Sequence, residues 1–164
     1  MDELGAHVRF RDASEQVVFI GLGHPIKSDD SVGLYMVSKL RKLIGSNPTR
    51  HVRILAVHSP EAAFSMIGKE TRSGIKSIII FDAIESNSPP GTIVFANITE
   101  TKYGFFATHN IPLRLVPAIS SNAEHVYVLG IQTENSEIGE SISKSVRESA
   151  DRVVDKIGKL IEES

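Results

Sequence analysis

Three places in the chain carry residue types able to do chemistry. Asp29 and Asp30 stand side by side in the stretch Gly21-Leu22-Gly23-His24-Pro25-Ile26-Lys27-Ser28-Asp29-Asp30-Ser31-Val32-Gly33. Asp82 closes the apolar run Ile78-Ile79-Ile80-Phe81, and His109 lies in Thr108-His109-Asn110-Ile111-Pro112-Leu113. Two carboxylates and one imidazole converging on one sheet edge form a borderline-hard site for a divalent ion such as nickel or zinc, with coordination positions left open. Each residue also has a plain structural reading. A carboxylate at a helix start favours the helix dipole, although two adjacent acids cannot both cap one helix in the same way. Asp82 reads equally as a loop carboxylate accepting backbone N–H groups, and a lone histidine before a helix is commonly structural.

Several other chemistries are excluded. The third glycine of a G-x-G-x-x-G dinucleotide fingerprint falls at Ile26, no H-E-x-x-H zinc motif occurs, and there is no G-x-S-x-G elbow. The remaining histidines, His7, His24, His51, His58 and His125, share no helical ligand spacing. With no cysteine there is no disulfide, thiolate metal site or cysteine nucleophile, which is consistent with a reducing, cytoplasmic setting.

The elements that must position these residues follow from periodicity. Val17-Val18-Phe19-Ile20 is a β-branched and aromatic run, and Val32, Met36, Leu40, Leu43 and Ile44 then recur at helical spacing: strand, loop, helix. His51 to Val57 reads as a second strand, with Pro60 opening a helix through Ile67. The unbroken apolar run at 78–81 fits a central strand covered on both faces and is expected to end at Asp82. Ser86-Asn87-Ser88-Pro89-Pro90-Gly91 is dense in turn residues before a strand at Thr92 to Ala96, and so short a connection points to an antiparallel edge. Asn110 can cap a further helix with Pro112 in its first turn, and Val126 to Leu129 is another strand. Ile138 to Ile161 carries Ile142, Val146, Ala150, Val154, Ile157 and Ile161 on one stripe, the mark of a long closing helix. Strands alternating with helices give a three-layer αβα domain with a mostly parallel sheet, whose ligands sit beyond the carboxyl ends of the strands.

The 164 residues, 41% hydrophobic and 23% charged, suit one domain over 16–164, with residues 1–15 read as a loose tail. The N-terminal segment lacks the apolar stretch of a secretory signal, and no apolar run approaches the length of a membrane span. A formal charge of -2 with scattered Lys and Arg offers no footprint for nucleic acid.

In order and spacing, Gly21 to Gly33, Ser59-Pro60-Glu61, Phe81-Asp82-Ala83 with Pro90-Gly91, Thr108 to Leu113 and Leu129-Gly130-Ile131-Gln132 resemble the hydrogenase maturation endopeptidases, particularly the hydrogenase-3-like subgroup. The match runs from about Val17 to the final helix. The resemblance implies a twisted five-stranded sheet flanked by helices and a nickel-dependent cut near the C-terminus of the large-subunit precursor of a nickel-iron hydrogenase. It places the family's metal-recognising residues at Asp30, Asp82 and His109; the adjacent carboxylate of Asp29 is expected to be able to handle a proton at the scissile peptide. Having no thiolate, such a set is expected to bind metal weakly in the free enzyme and more tightly when substrate completes the shell. The sequence departs from the family at His24, where asparagine is usual, and at Val57-His58-Ser59, which replaces an Asp-Gly-Gly or Asp-Gly-Ser stretch. Two other functions share parts of this pattern. A nickel carrier or assembly factor that inspects the large subunit without cutting it would use the same three ligands. A peptidyl-tRNA hydrolase shares the Gly-Leu-Gly-x-Pro turn, but needs a Thr-Arg-His-Asn stretch where this chain has Lys27-Ser28-Asp29-Asp30.

Overall fold

The structure is a computed structural model that describes residues 2–10, 14–45, 51–59, 62, 65, 75–98, 123–139 and 141–164. The helix expected from Pro60 to Ile67, apart from residues 62 and 65, and the segment Thr108 to Leu113 with its helix start at Asn110 lie outside the described residues.

Five strands form one sheet: β1 (Gln16–Leu22), β2 (Val52–Val57), β3 (Ile75–Ile84), β4 (Ile93–Asn97) and β5 (His125–Gln132). Their order is β2-β1-β3-β5-β4. All neighbours run parallel except β4, the expected antiparallel edge. β4 pairs not with the strand it follows but with β5, which is inserted between them; Val94 faces Gly130 and Phe95 faces Leu129.

The sheet's two faces follow from strand alternation. Phe19, Phe81, Leu129 and Ile131 point into a cluster with α2 (Val32–Ile44) and the last helix, α3 (Lys144–Glu162). Val18, Ile20, Leu22, Ile78, Ile80 and Val128 form a second buried cluster on the opposite face. The helix stripe read from sequence is buried as expected at Val146, Ala150, Val154, Ile157 and Ile161, but α3 starts at Lys144. Ile138 is instead exposed, and Ile142 lies before the helix and packs partly against the core.

Two further expectations are corrected. The residues read as a loose N-terminal tail include a helix, α1 (Asp2–Val8), whose Leu4 and Val8 are completely buried in the main cluster. Its two buried apolar residues stand at i and i+4 on one face of the helix, too few to register as a periodic pattern. The central strand does not end at Asp82; β3 runs to Ile84, so Asp82 is a strand residue, paired with Gly130 of β5.

A polar clamp joins α2 to α3 on the surface. Asp151 accepts hydrogen bonds from the Tyr35 hydroxyl (2.7 Å) and the Lys39 ammonium (2.9 Å), and Lys39 also reaches Asp155 (3.0 Å). Burial alone pushes the Asp151 carboxyl up, but the Tyr35 and Lys39 hydrogen bonds, with the Lys39 and Arg147 charges, together hold it below its ordinary value.

The start of α2 lies directly on the sheet because Gly33 has no side chain. A Cβ there would collide with the carbonyl oxygens of Leu22 in β1 and Phe81 in β3. Those neighbours are backbone and cannot swing aside. Gly33→Ala is therefore expected to destabilise the fold by about 2–3 kcal/mol despite alanine's better helix propensity. Urea unfolding checks this, and an alanine variant as stable as the parent would contradict the close crossing.

Candidate functional site

The chain reverses direction across the sheet at β1. Its connection leads outward to β2, and the next strand, β3, returns to β1's other side. In open α/β sheets the crevice at such a switch point, outside the carboxyl ends of the two strands, is where ligands bind. Asp30 and Asp82 flank this crevice. Gly21 is the register partner of Phe81, which puts Asp82 one step further along β3, beside the end of β1. Asp30 stands in the 3-10 turn Asp29–Ser31 that follows β1 and contacts β3.

Local structure fixes the turn. Gly23 has φ 152°, and a Cβ at that position would strike the carbonyl oxygen of Asp30, so the chain folds back tightly on itself. The His24 N–H then donates to the Asp30 carbonyl (3.2 Å), while the Asp30 side chain is half-buried at the rim.

Asp82 is fully buried, and its Oδ1 accepts the Ala83 N–H at 2.9 Å. By alternation its side chain lies on the face that carries Ile78 and Ile80. Its register partner is Gly130, which contributes no side chain; Ile84 occupies the space that a Cβ there would need. Beyond it, Gln132 closes β5. Its Oε1 accepts from the Ser86 N–H (2.6 Å) and hydroxyl (2.9 Å), and its Nε2 donates to the Thr133 carbonyl (3.1 Å). Gln132 thereby ties the segment after β3 to the end of β5.

Asp29 takes a different position from its neighbour. It is fully buried, and its two oxygens accept four hydrogen bonds: Oδ2 from the N–H groups of Glu134 and Asn135 (2.8 Å each) and from the Ser143 hydroxyl (3.0 Å), and Oδ1 from the Ser143 N–H (2.6 Å). A carboxylate so enclosed is a structural anion. The proton-handling role expected for Asp29 needs an oxygen facing substrate, and this environment provides none. Its partners lie far from its own helix start. Ser143 is the N-cap of α3, over a hundred residues away, and its hydroxyl serves Asp29 rather than its own helix. No local signal in the sequence marks Ser143 or Glu134 as partners of Asp29.

The described residues contain no group of three His, Asp or Glu placed to hold a metal ion, and His109 lies outside them. The two carboxylates that the structure does place at the switch point offer hard oxygen donors suited to a divalent cation when completed by nitrogen or substrate ligands. Among the described residues, no helix is long and apolar enough to cross a membrane.

Asp29→Asn is expected to cost about 3 kcal/mol, because an amide puts a donor against backbone donors and leaves buried N–H groups unsatisfied. Chemical denaturation measures this; a variant within 0.5 kcal/mol of the parent, roughly the level of an ordinary surface change, would contradict the structural assignment.

Comparison with known proteins identifies the family. The sequence profile of the HycI hydrogenase maturation protease family matches residues 62–160. A Methanocaldococcus jannaschii protein that carries the family's name is 28% identical over 156 residues, covering 91% of this chain and 90% of its own. In fold, the chain is similar to the NiFe hydrogenase maturation protease HycI of Thermococcus kodakarensis, with TM-score 0.79, 22% identity, and 98% and 99% of the two chains covered. It is also similar to the hydrogenase maturating endopeptidase HybD of E. coli, with TM-score 0.62, 18% identity, and 90% and 93% covered.

Proposed function

The chain belongs to the hydrogenase maturation protease family, a family of peptidases, and on that premise we propose that it removes the C-terminal extension of a nickel-iron hydrogenase large-subunit precursor after nickel has been inserted. In this reading nickel arrives as part of the substrate. Asp30, Asp82 and His109 engage it, so that completed metal insertion is what licenses the cut. Membership in the family sets aside peptidyl-tRNA hydrolysis.

The observation that carries the reading is the pair of carboxylates at the β1/β3 switch point, one buried within β3 beside the end of β1 and one on the rim. The buried Asp82 is held by pairing with Gly130 of β5, one step beyond the last β1 partner of its strand, Phe81, which suits a ligand whose position must be fixed before substrate arrives. Asp30 sits on the 3-10 turn, where a substrate-borne ion can reach it. A divalent ion at the scissile peptide polarises its carbonyl or lowers the pKa of an attacking water. Asp29 holds the turn that carries Asp30 and is a positioning residue.

The test is a mass-spectrometric cleavage assay on the precursor large subunit, nickel-loaded or nickel-free. The parent enzyme is expected to release a short C-terminal peptide only from the nickel-loaded form. Asp82→Asn and His109→Ala are each expected to slow release at least about a hundredfold, in the range typical for the loss of a group that acts on the transition state. A folded parent enzyme that binds the nickel-loaded precursor and leaves it intact would move the assignment to a nickel carrier or assembly factor.

A further inference from the structure

The end of the sheet opposite the crevice carries a second cluster of titratable side chains, which the proposed reaction does not use. His125 opens β5, Tyr127 follows it on the same face, and His7 of α1 lies against both. The His7 ring stands 4.8 Å from that of His125, at 70°, and 4.3 Å from that of Tyr127. Its Nε2 shares a hydrogen bond with the Tyr127 hydroxyl at 2.7 Å. Phe95 of β4 stacks on Tyr127 at 4.6 Å, so the partner of His7 is held on the sheet.

A positive charge on His7 has nowhere to go. Its Nδ1 is enclosed and has no hydrogen-bond partner among the described residues. A neutral imidazole tolerates this, because Nε2–H can serve Tyr127 and leave Nδ1 as a bare lone pair. The cation carries a proton on both ring nitrogens, whichever tautomer it comes from, so a charged donor would stand at Nδ1 without an acceptor. The surrounding charges point the same way. His125 of β5 and Lys76 of β3 oppose the cation, and Glu3, one turn back on α1, favours it. Burial, and after it the His125 ring, push the His7 imidazole below its ordinary value; Glu3 pulls it up, and Lys76 adds to the lowering. The Lys76 ammonium is fixed close by, donating to the Arg9 carbonyl (2.8 Å) and the Glu15 carboxylate (3.1 Å). Arg9 and Glu163 form an exposed pair that contributes little.

The helix that bears His7 is seven residues long and anchors itself through Leu4 and Val8. An element this short can open without unfolding the rest of a domain. We propose that α1 is a pH-sensitive clasp: it stays docked while His7 is neutral and comes away from the sheet when that imidazole takes a proton. The released form binds the proton more readily than the docked form. Docking is therefore at full strength above about pH 6.5 and weakens as pH falls below it. Release also takes the Arg9 carbonyl away from the buried Lys76 ammonium, so the two interactions fail together.

Amide hydrogen exchange, corrected for the intrinsic rate at each pH, compares α1 with the centre of β3 at about pH 7.5 and about pH 5.5, on either side of the ordinary histidine value. The reporter amides are those at the end of α1, including Arg9, which donates to the Gly5 carbonyl. In the parent their protection is expected to fall severalfold at the lower pH, about tenfold being the limit that one linked proton sets over this range, while Ile79 in β3 keeps its own. His7→Gln, neutral at both pH values, is expected to remove the dependence, and His125→Gln, which takes away a repulsion, to reduce it. The proposal is overturned by α1 protection that is the same at both pH values, that falls in step with Ile79, or that falls as far in His7→Gln as in the parent. If His7→Gln leaves α1 unprotected even at the higher pH, His125→Gln decides: a smaller loss than the parent's supports the clasp, and an equal loss overturns it.

Discussion

Asp29 is the constraint on which the site depends. Taking a carboxylate wholly out of water costs several kcal/mol, and the cost is offset only when hydrogen bonds satisfy its lone pairs. Here four donors do so, from Glu134, Asn135 and both donors of Ser143. The geometry this requires joins three parts of the chain: the turn after β1, the loop after β5 and the N-terminus of α3. None of the three can shift without exposing the others' unsatisfied groups. The 3-10 turn bearing Asp30 is thus fixed to the framework of the sheet, although it is a loop by position.

Close packing completes what that carboxylate begins. α2 begins immediately after the turn and is set against the backbones of β1 and β3 through Gly33, so the helix and the two strands that define the crevice form one unit. Gln132 performs the matching task on the other side, fixing Ser86 to the end of β5. Asp82 lies between these two supports in a fully buried strand. The side chains of Asp30 and Asp82 thus stand on backbones that the surrounding structure already fixes, the preorganisation that a functional site requires.

The features legible in the sequence were those that depend on neighbours in the chain. Val17 to Ile20, the α2 spacing from Val32 to Ile44 and the apolar stripe of α3 declared themselves because their periodicity is local. The apolar run that leads into Asp82 was legible for the same reason, but the full length of β3 was not: Lys76, Ser77 and Asp82 break its apolar pattern while being buried all the same, and the strand runs on to Ile84. Lys76 tolerates burial by donating to the Arg9 carbonyl and the Glu15 carboxylate, partners that no local pattern announces. Asp29 shows the limit most clearly. Its neighbours in sequence pointed to a local helix start, whereas its hydrogen-bond partners lie more than a hundred residues away, in the loop after β5 and at the N-cap of α3. The insertion of β5 between β3 and β4 is likewise a long-range fact, set by which apolar strand claims the centre of the sheet.

Native-state hydrogen exchange, read amide by amide, tests the central role of Asp29 most directly. If its carboxylate holds the site together as described, the N–H groups of Glu134, Asn135 and Ser143 will exchange as slowly as those of β5, through global unfolding alone, though all three lie outside the strands and helices. If they exchange at rates typical of surface loops while β5 stays protected, the buried carboxylate does not fix the turn bearing Asp30, and the account of how the site is positioned is wrong.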